Sequence, residues 1–520
     1  MLEKLKNIKK IGLFITILSF ISSIVLLRDV NNLDEIWNFN FARCFANGLV
    51  AYKDFNIIQG PLVPMFCSIF LKIFGQEMLV TRILAIILDT IILFMVYLIM
   101  EKLKIKALLR YILLIILAII MRPYFTLDYN WTILLFVLII LNSEIKHSDL
   151  VLDIKHDLLI GLLAGICVTI KQTMGLLIVV AIIGYKIFEV RNLDDFKKFI
   201  KIAAIRLLGA VIPIVIVSMY LILNNALKDY IDYAILGIST FSNKISYVDR
   251  LLKNKNILIR ILSILPIVNI LSICFYFKSK EKNFLILSVL SIVNMIMVYP
   301  ISDESHFVIA VVPTLISFIY FINISVEKIK YKDELITSSF QKRVVKTFSV
   351  MYAFATAFMI CAIVVASTMS VVYFIINISQ KNLNMELNHF KYLPMSEDSI
   401  DAIKKIDNFI LAQDENVYIL DATAGLYMIP IDKYNKNYDM FLKGNLGSEG
   451  EEGQIQELKE KTNEKILIMN KNYNRNWQNP EEVRKYIIKN MKKQGQIGIF
   501  DIYEEDGFKY CQLINASMEQ

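Results

Sequence analysis

DEIWNFNFARCFANGLVAYKDFNIIQGPLVP, residues Asp34–Pro64, lies between a first apolar segment and a second, longer one. It opens on an adjacent acid pair, Asp34 and Glu35, and closes on Asp54 and the turn Gln59-Gly60-Pro61-Leu62. At 3.6 residues per turn Trp37, Phe41, Phe45 and Leu49 share one side of a helix, and Asn40, Arg43 and Asn47 the other. Gly48 is its expected stop. Such a helix is expected to lie in the headgroup plane. The plainer alternative is an amphipathic helix packed on the protein, without catalytic meaning.

The surroundings decide that this loop borders a membrane. The chain has 520 residues, 56% of them hydrophobic, gathered into long runs between lysine-rich breaks. That is the pattern of a multispanning membrane protein. The net charge of +8 reflects anchoring lysines, with no basic stripe interleaved with aromatics, so nucleic acid is not an expected partner. The six cysteines are scattered without CxxC or metal-ligand spacing, and the four histidines do not cluster.

Apolar length marks about eleven spans. They lie near Ile11–Leu27, Met78–Met100, Ala107–Met121, Trp131–Leu141, Leu158–Thr173, Gly175–Val190, Lys201–Leu223, Ile257–Phe277, Phe284–Tyr299, Phe307–Ile324 and Thr347–Ile376. The first is read as an uncleaved anchor, because no small-residue cleavage site follows it. With the N-terminus inside, the lysine-rich segments Glu101–Lys106, Asn142–Asp157, Arg191–Lys201, Lys278–Lys282 and Glu327–Lys346 fall on the inner side. The outer segment Asn224–Asn256, with Lys244, Arg250, Lys253 and Lys255, departs from that rule. Ala107–Met121 and Trp131–Leu141 are short and form a hairpin with a recessed tip. Lys171-Gln172-Thr173 interrupts the run Leu158–Val190, which puts it at a hairpin tip or in a polar cavity.

The expected fold is an all-α polytopic membrane domain over residues 1–380, followed by a small α/β domain over 381–520. In the latter, Asp398–Leu411 and Pro480–Lys493 read as helices. Asn416–Asp421, Lys465–Asn470 and Gln496–Tyr503 read as strands, and Leu442–Gly453 as a loop. An odd span count puts this domain outside the cell.

Polar residues collect at the outward ends of the spans. They are Asp34, Glu35, Asp54, Arg82, Arg122, Asp128, Lys171, Gln172, Asp303, Glu304 and His306. Ionisable groups at membrane depth are functional candidates when they face a cavity. Arginine and lysine are natural partners of a phosphate, and a carboxylate within reach of a hydroxyl acts as a general base. Together these chemistries describe sugar transfer from a lipid-phosphate donor. Bland alternatives stand beside each residue. Arg82 and Arg122 suit snorkelling anchors, Asp303 with His306 suits a helix cap, and Gln59-Gly60-Pro61 suits a plain turn. Asp303 and His306 with Asp34 also suit a divalent metal.

At these residues the chain resembles the GT-C glycosyltransferases, in the branch of the protein O-mannosyltransferases and lipid A aminoarabinose transferases. The resemblance rests on Asp34-Glu35, the helix Trp37–Leu49, Asp54 and Gly60-Pro61-Leu62, then Phe74-Gly75 and Thr81-Arg82, and the late segment Tyr299–Pro313. The chain departs from it at Gln59, where relatives have His-Pro or Lys-Pro, and in lacking a large outer domain between spans. The resemblance implies Asp34 as general base, Glu35 as its positioning partner and Asp54 as a second acid near the acceptor. It assigns Lys171, Arg82, Arg122, His306 and Gln172 to the lipid phosphate, and Gln59 and Pro61 to the acceptor loop. It implies inversion at the anomeric centre and leaves a divalent metal open.

The expectation is therefore an integral-membrane transferase moving a sugar from a polyprenyl-phosphate donor to a cell-envelope polymer, lipid or protein. It would act outside a plasma membrane, and the Lys/Ile/Asn-rich composition points to a bacterium. A lipid-linked saccharide transporter is the first rival. It would call for internal repeats, and the sequence has none. A non-catalytic sensor working through the C-terminal domain is the second.

Overall fold

The protein's structure, a computed structural model, describes residues 26, 28–121, 123–145, 147, 149–240, 246–255, 257–299, 301–333, 376, 382–413, 416–435, 438–460, 465–470 and 479–504. The first and last expected spans, Ile11–Leu27 and Thr347–Ile376, lie almost wholly outside these residues.

In chain order the helices run α1 Leu33–Ala46, α2 Leu62–Phe74, α3 Met78–Lys102, α4 Ala107–Met121, α5 Tyr129–Glu144, α6 Ile154–Ile170 and α7 Gln172–Gly184. They continue with α8 Leu193–Leu223, α9 Ile257–Leu262, α10 Ile267–Ser279, α11 Lys282–Met295, α12 Glu304–Ala310 and α13 Val312–Asp333. The C-terminal region adds α14 Glu397–Leu411, α15 Gly450–Glu460 and α16 Glu481–Asn490. Starts are set by side chains that accept from orphan backbone amides, as expected of caps. Asn32 accepts from Glu35, Asp128 from Trp131, Asp153 from His156, Asp303 from His306 and Ser396 from Ser399.

Among the described residues, four helical stretches are long and apolar enough to cross a membrane: Met78–Lys102, Gln172–Glu189, Leu193–Leu223 and Ile259–Ser279. A fifth candidate is α12 with Val312–Ile324, bent by 45°. Pro313 follows the bend, and a proline there cannot donate the amide that would carry α12 into α13. The expected inner loop at Arg191–Lys201 is largely helix, because α8 begins at Leu193. Asp194 and Asp195 suit its first turn, where the helix dipole favours acids.

By contacts the chain forms two compact units. The first is Met1–Leu27, Leu84–Ile214 and Ile245–Gln380; the second is Arg28–Ile83, Val215–Lys244 and Lys381–Gln520. Helices α3 and α8 each run from one unit into the other.

In the first unit α6 and α7 form a hairpin that breaks at Lys171, whose extended backbone (φ −145°, ψ 104°) ends one helix and starts the next. α5 packs on α6, and α11 packs against α5, α7, α10 and α13. α6 also meets α8 with almost no side chain between them. A β-carbon on Gly161 would collide with the Arg206 carbonyl, and one on Gly165 with the Ala210 backbone and the Pro213 ring. Small residues four apart let helix backbones approach this closely. Together with the end of α5 these helices bury a charge cluster that the sequence reading did not find. Glu144 takes His156 Nε2 and Arg206 Nη2, both at 2.9 Å, while Arg206 Nε reaches Asp157 at 2.9 Å.

The second unit carries the sheet. Strands β1 (Asn416–Leu420) and β2 (Lys465–Asn470) pair in parallel. β2 pairs antiparallel with β4 (Phe500–Glu504), and β4 with β3 (Lys492–Ile497). The spatial order is therefore β1-β2-β4-β3. The expected single strand Gln496–Tyr503 is thus a hairpin that turns at Gly498, where φ is +52°. α16 stops at Asn490, so Lys492 and Lys493 belong to β3 rather than to the helix. α15 begins at Gly450, inside the expected loop Leu442–Gly453.

The tight approach of α6 to α8 generates a prediction. Gly161→Leu should lower the melting temperature of the purified protein, at an overpacking cost of about 1–3 kcal/mol. Gly184→Ala, where a β-carbon meets nothing within 4 Å, should leave it unchanged.

Candidate active site

Adjacent residues on a helix point about 100° apart, so the acid pair at the start of α1 is divided between two surroundings. Glu35 is 5% exposed and grips Arg82 with both carboxylate oxygens, at 2.8 Å to Nε and 3.0 Å to Nη2. Arg28 adds a third contact at 3.3 Å. Arg82 is 1% exposed and also donates to the carbonyls of Arg28 and Asp29, at 2.5 and 3.1 Å. Burial works to raise the Glu35 pKa; the two guanidiniums outweigh it and hold the carboxyl below its ordinary range. Asp34 stands in the same first turn but remains half-buried. Its backbone carbonyl accepts from Asn38 Nδ2 at 2.7 Å.

The helix itself is not laid on open surface. Gly48 does stop it, at φ +81° just past the cap Asn47, but both of its sides are covered. The aromatic side, with Trp37, Phe41 and Phe45, packs into a cluster with Tyr52, Phe55, Leu221 and Met440. The polar side is clasped by residues far along the chain. Asn40 Nδ2 donates to Asp439 at 3.2 Å, and from the aromatic side Trp37 Nε1 donates to the Ala422 carbonyl at 2.9 Å. Arg43, fully buried, reaches the Ile429 and Lys433 carbonyls and Asp432, and its guanidinium stacks 4.7 Å over the Tyr434 ring. The helix is thus packed on the protein along both sides. Its polar stripe faces hydrogen-bonding partners of its own unit.

The loop that follows folds back on itself. Asp54 Oδ2 accepts from the Val50 amide at 2.8 Å, while the Asp54 amide returns to the Val50 carbonyl at 2.8 Å. Tyr52 takes φ 69° and ties its hydroxyl to the Gln59 carbonyl at 2.6 Å. Pro61 caps α2, where the ring's fixed φ suits a helix start. Asp439 is almost wholly buried, and desolvation lifts its pKa to about 7. Asp407 in α14 is raised to about 7 by the same cause.

The remaining candidates belong to the first unit. Lys171 Nζ donates to Asn130 Oδ1 at 2.9 Å and lies 5.0 Å from the Tyr129 ring centre. Gln172 is buried at the start of α7. Asp128 caps α5. Asp303 caps α12 and also takes His306 Nδ1 at 2.8 Å, so the capping reading of that pair holds. Burial opposes ionisation of Asp303, but His306 dominates and its pKa falls to about 2. Glu304 accepts from Tyr124 and from Asn254 Nδ2. Arg122 lies outside the described residues. The geometry thus brings Glu35 to Arg82, Lys171 to Asn130 and Asp303 to His306. Among the described residues no three of His, Cys, Asp and Glu gather as a metal site. Arg28, Asn130 and Arg43 were missed by sequence reading. Only Arg43 carried a signal, as a cation on the polar stripe of α1.

Residues 59–226 match the family model described as dolichyl-phosphate-mannose-protein mannosyltransferase. The matched segment begins beyond Asp34 and Asp54. The structure is similar to that of ArnT from Cupriavidus metallidurans in the apo state, with TM-score 0.55 and 11% identity over 96% of this chain and 98% of that one. ArnT from the same organism bound to undecaprenyl phosphate gives TM-score 0.55 and 11% identity over 95% and 98%. At that identity the likeness is one of fold. Among curated protein sequences none matches the chain. The family named in the resemblance is met by the family model over residues 59–226, and its fold by the likeness to ArnT.

Two outcomes follow from the electrostatics. Glu35→Gln leaves Arg82 buried against a neutral partner and should destabilise by about 3–5 kcal/mol. The ion pair's contribution should be complete above the ordinary glutamate pKa of about 4.3 and lost as pH falls through the lower folded value. Thermal melts from pH 3 to 7, with and without the substitution, check both. Asp439 and Asp407 act in the opposite sense. A raised folded pKa means stability is lost as pH climbs from about 4 to about 7. Asp439→Asn should remove part of that slope, and Asp439→Asn with Asp407→Asn most of it.

Proposed function

We propose that the chain is a membrane glycosyltransferase of GT-C type. It moves a sugar from a polyprenyl-phosphate donor to a hydroxyl of a cell-envelope acceptor. The observation that carries this reading is the division of the acid pair: Glu35 is sealed against Arg82 while Asp34, on the same turn, stays partly open to solvent. A sealed ion pair fixes the turn, and this reading gives the chemistry to the more exposed of the two carboxylates. The fold shared with ArnT and the family match over 59–226 support the same reading.

In this reaction Asp34 removes the proton from the acceptor hydroxyl. The oxygen's electron pair attacks the anomeric carbon from the face opposite the phosphate. The carbon–oxygen bond to the lipid phosphate breaks, and the phosphate leaves with that bond's electron pair, inverting the centre. Asp54, tied to the Val50 amide, shapes the acceptor loop together with Gln59 and Pro61. Lys171 with Gln172 is the cationic group this reading gives to the departing phosphate, with His306 and Arg122 as further candidates. Arg82 serves it through Glu35, as a positioning residue. The enzyme would sit in a bacterial plasma membrane, N-terminus inside, with residues 381–520 on the outer side.

Membranes supplied with a panel of labelled polyprenyl-phosphate sugars test the proposal. Asp34→Asn should lower transfer by about 10²–10⁴-fold, the usual worth of a general base, with a melting temperature near that of the intact protein. Unchanged transfer by a folded Asp34→Asn would refute the base assignment. No transfer of any sugar by the intact protein would refute the enzyme reading in favour of lipid flipping.

A further inference from the structure

Helix α2 is built with two unlike sides. Val63, Pro64, Cys67 and Leu71 turn inward and are buried, while α2 packs against α1. Phe66, Ile69, Ile73 and Phe74 turn outward and are 53–69% exposed. Leaving four large apolar groups in water on one 13-residue helix opposes the hydrophobic effect, and such patches mark contact surfaces. The patch is continuous with a second one. Val215, Ile216, Met219, Ile222 and Leu223, at the end of the span-length helix α8, are likewise exposed. Tyr220 and Met65, between the two, join the same packed cluster.

Where these surfaces meet there is a cleft of about 570 Å³. Its walls include Phe45, Leu49, Met65, Ile69 and Tyr220, with Lys72 also lining it. That size and lining suit a small apolar ligand. Ser68 Oγ, in the wall, donates to the Met65 carbonyl at 2.7 Å, and Asn224 Nδ2 to the Tyr220 carbonyl at 2.8 Å. These polar groups are engaged within their own helices. Lys72 is the one charged residue of α2, exposed at the cleft.

We infer that this cleft seats one hydrocarbon chain of an anionic phospholipid from the surrounding leaflet, with its headgroup on Lys72. Continuity with the lipid-length face of α8 identifies the occupant as a bilayer lipid. A lysine whose stem crosses apolar surface reaches a phosphate at the interface. The site is separate from the proposed chemistry. Phe45 lies eleven residues beyond Asp34, about 17 Å along the helix axis, so a headgroup on Lys72 is not offered to Asp34. The seated lipid would hold α2, and with it the loop that α2 terminates, at a fixed depth in the leaflet.

The test uses the full chain in nanodiscs of phosphatidylcholine with phosphatidylglycerol carrying a photoactivatable acyl chain. Labelled peptides are mapped by mass spectrometry. The expected result is labelling at Phe45, Met65 and Ile69 that unlabelled phosphatidylglycerol suppresses and phosphatidylcholine does not. Lys72→Gln, at an exposed position, should lower it about fivefold, the effect of one lysine at an anionic surface. Equal suppression by both unlabelled lipids, with labelling unchanged in Lys72→Gln, would reduce the cleft to ordinary bilayer contact and overturn the proposal. Displacement of the phosphatidylglycerol by a trace of polyprenyl phosphate would overturn it too, by giving the cleft to a carrier. None of these readings depends on sugar transfer, so failure here is distinct from failure of the enzyme reading.

Discussion

A charge that leaves water must take its counter-charge with it, and this constraint governs both units. The penalty for stripping an ion of water amounts to several kcal/mol even after the protein relaxes, and only a close, well-bonded partner offsets it. Arg82 answers with a two-oxygen grip on Glu35 and two backbone carbonyls. Arg206 answers with Glu144 and Asp157, and Arg43 with Asp432, two carbonyls and an aromatic ring. Each pair joins elements distant in sequence. The pair Arg82–Glu35 fixes the start of α3 to the start of α1, and so locks one of two neighbouring carboxylates in place.

That sorting bears on what the sequence could show. The break at Lys171 was legible because a charge inside an apolar run stands out in local composition alone. Gly48 was legible as a stop because a left-handed residue past a helix end asks for glycine. The setting of α1 was not. A stripe of Asn40, Arg43 and Asn47 is what a helix shows to headgroups, and equally what it shows to a protein surface rich in carbonyls. Angular spacing reports that a side is polar, never what the polarity meets. The carbonyls of Ala422, Ile429 and Lys433 carry no side-chain signature at all, so their role was invisible beforehand.

The reverse holds for α2. Its composition suits a core helix as well as a membrane-facing one, and only the fold distinguishes the buried side from the exposed one. The Glu144–Arg206 cluster was hidden for a different reason. Its members are spread over positions 144 to 206; Glu144, His156 and Asp157 sit at helix ends, where charged residues are expected anyway, and Arg206 lies inside α8. The division of Gln496–Tyr503 into two strands turned on Gly498, a residue that reads as strand interior until its positive φ is seen.

The clasp on α1 has a consequence for biosynthesis. Trp37 and the carbonyl that receives its indole are 385 residues apart, and Arg43 waits about as long for Lys433 and Asp432. At a synthesis rate of about 5–20 residues per second, roughly 20–80 s separate the emergence of the helix from that of its cover. Contacts of such separation are late events in folding. For that interval one side of the helix is without its final cover. Asn40 and Arg43 are groups that water accommodates until their carboxylate and carbonyl partners arrive. A leucine at either position would make an equally good helix and a sticky nascent chain.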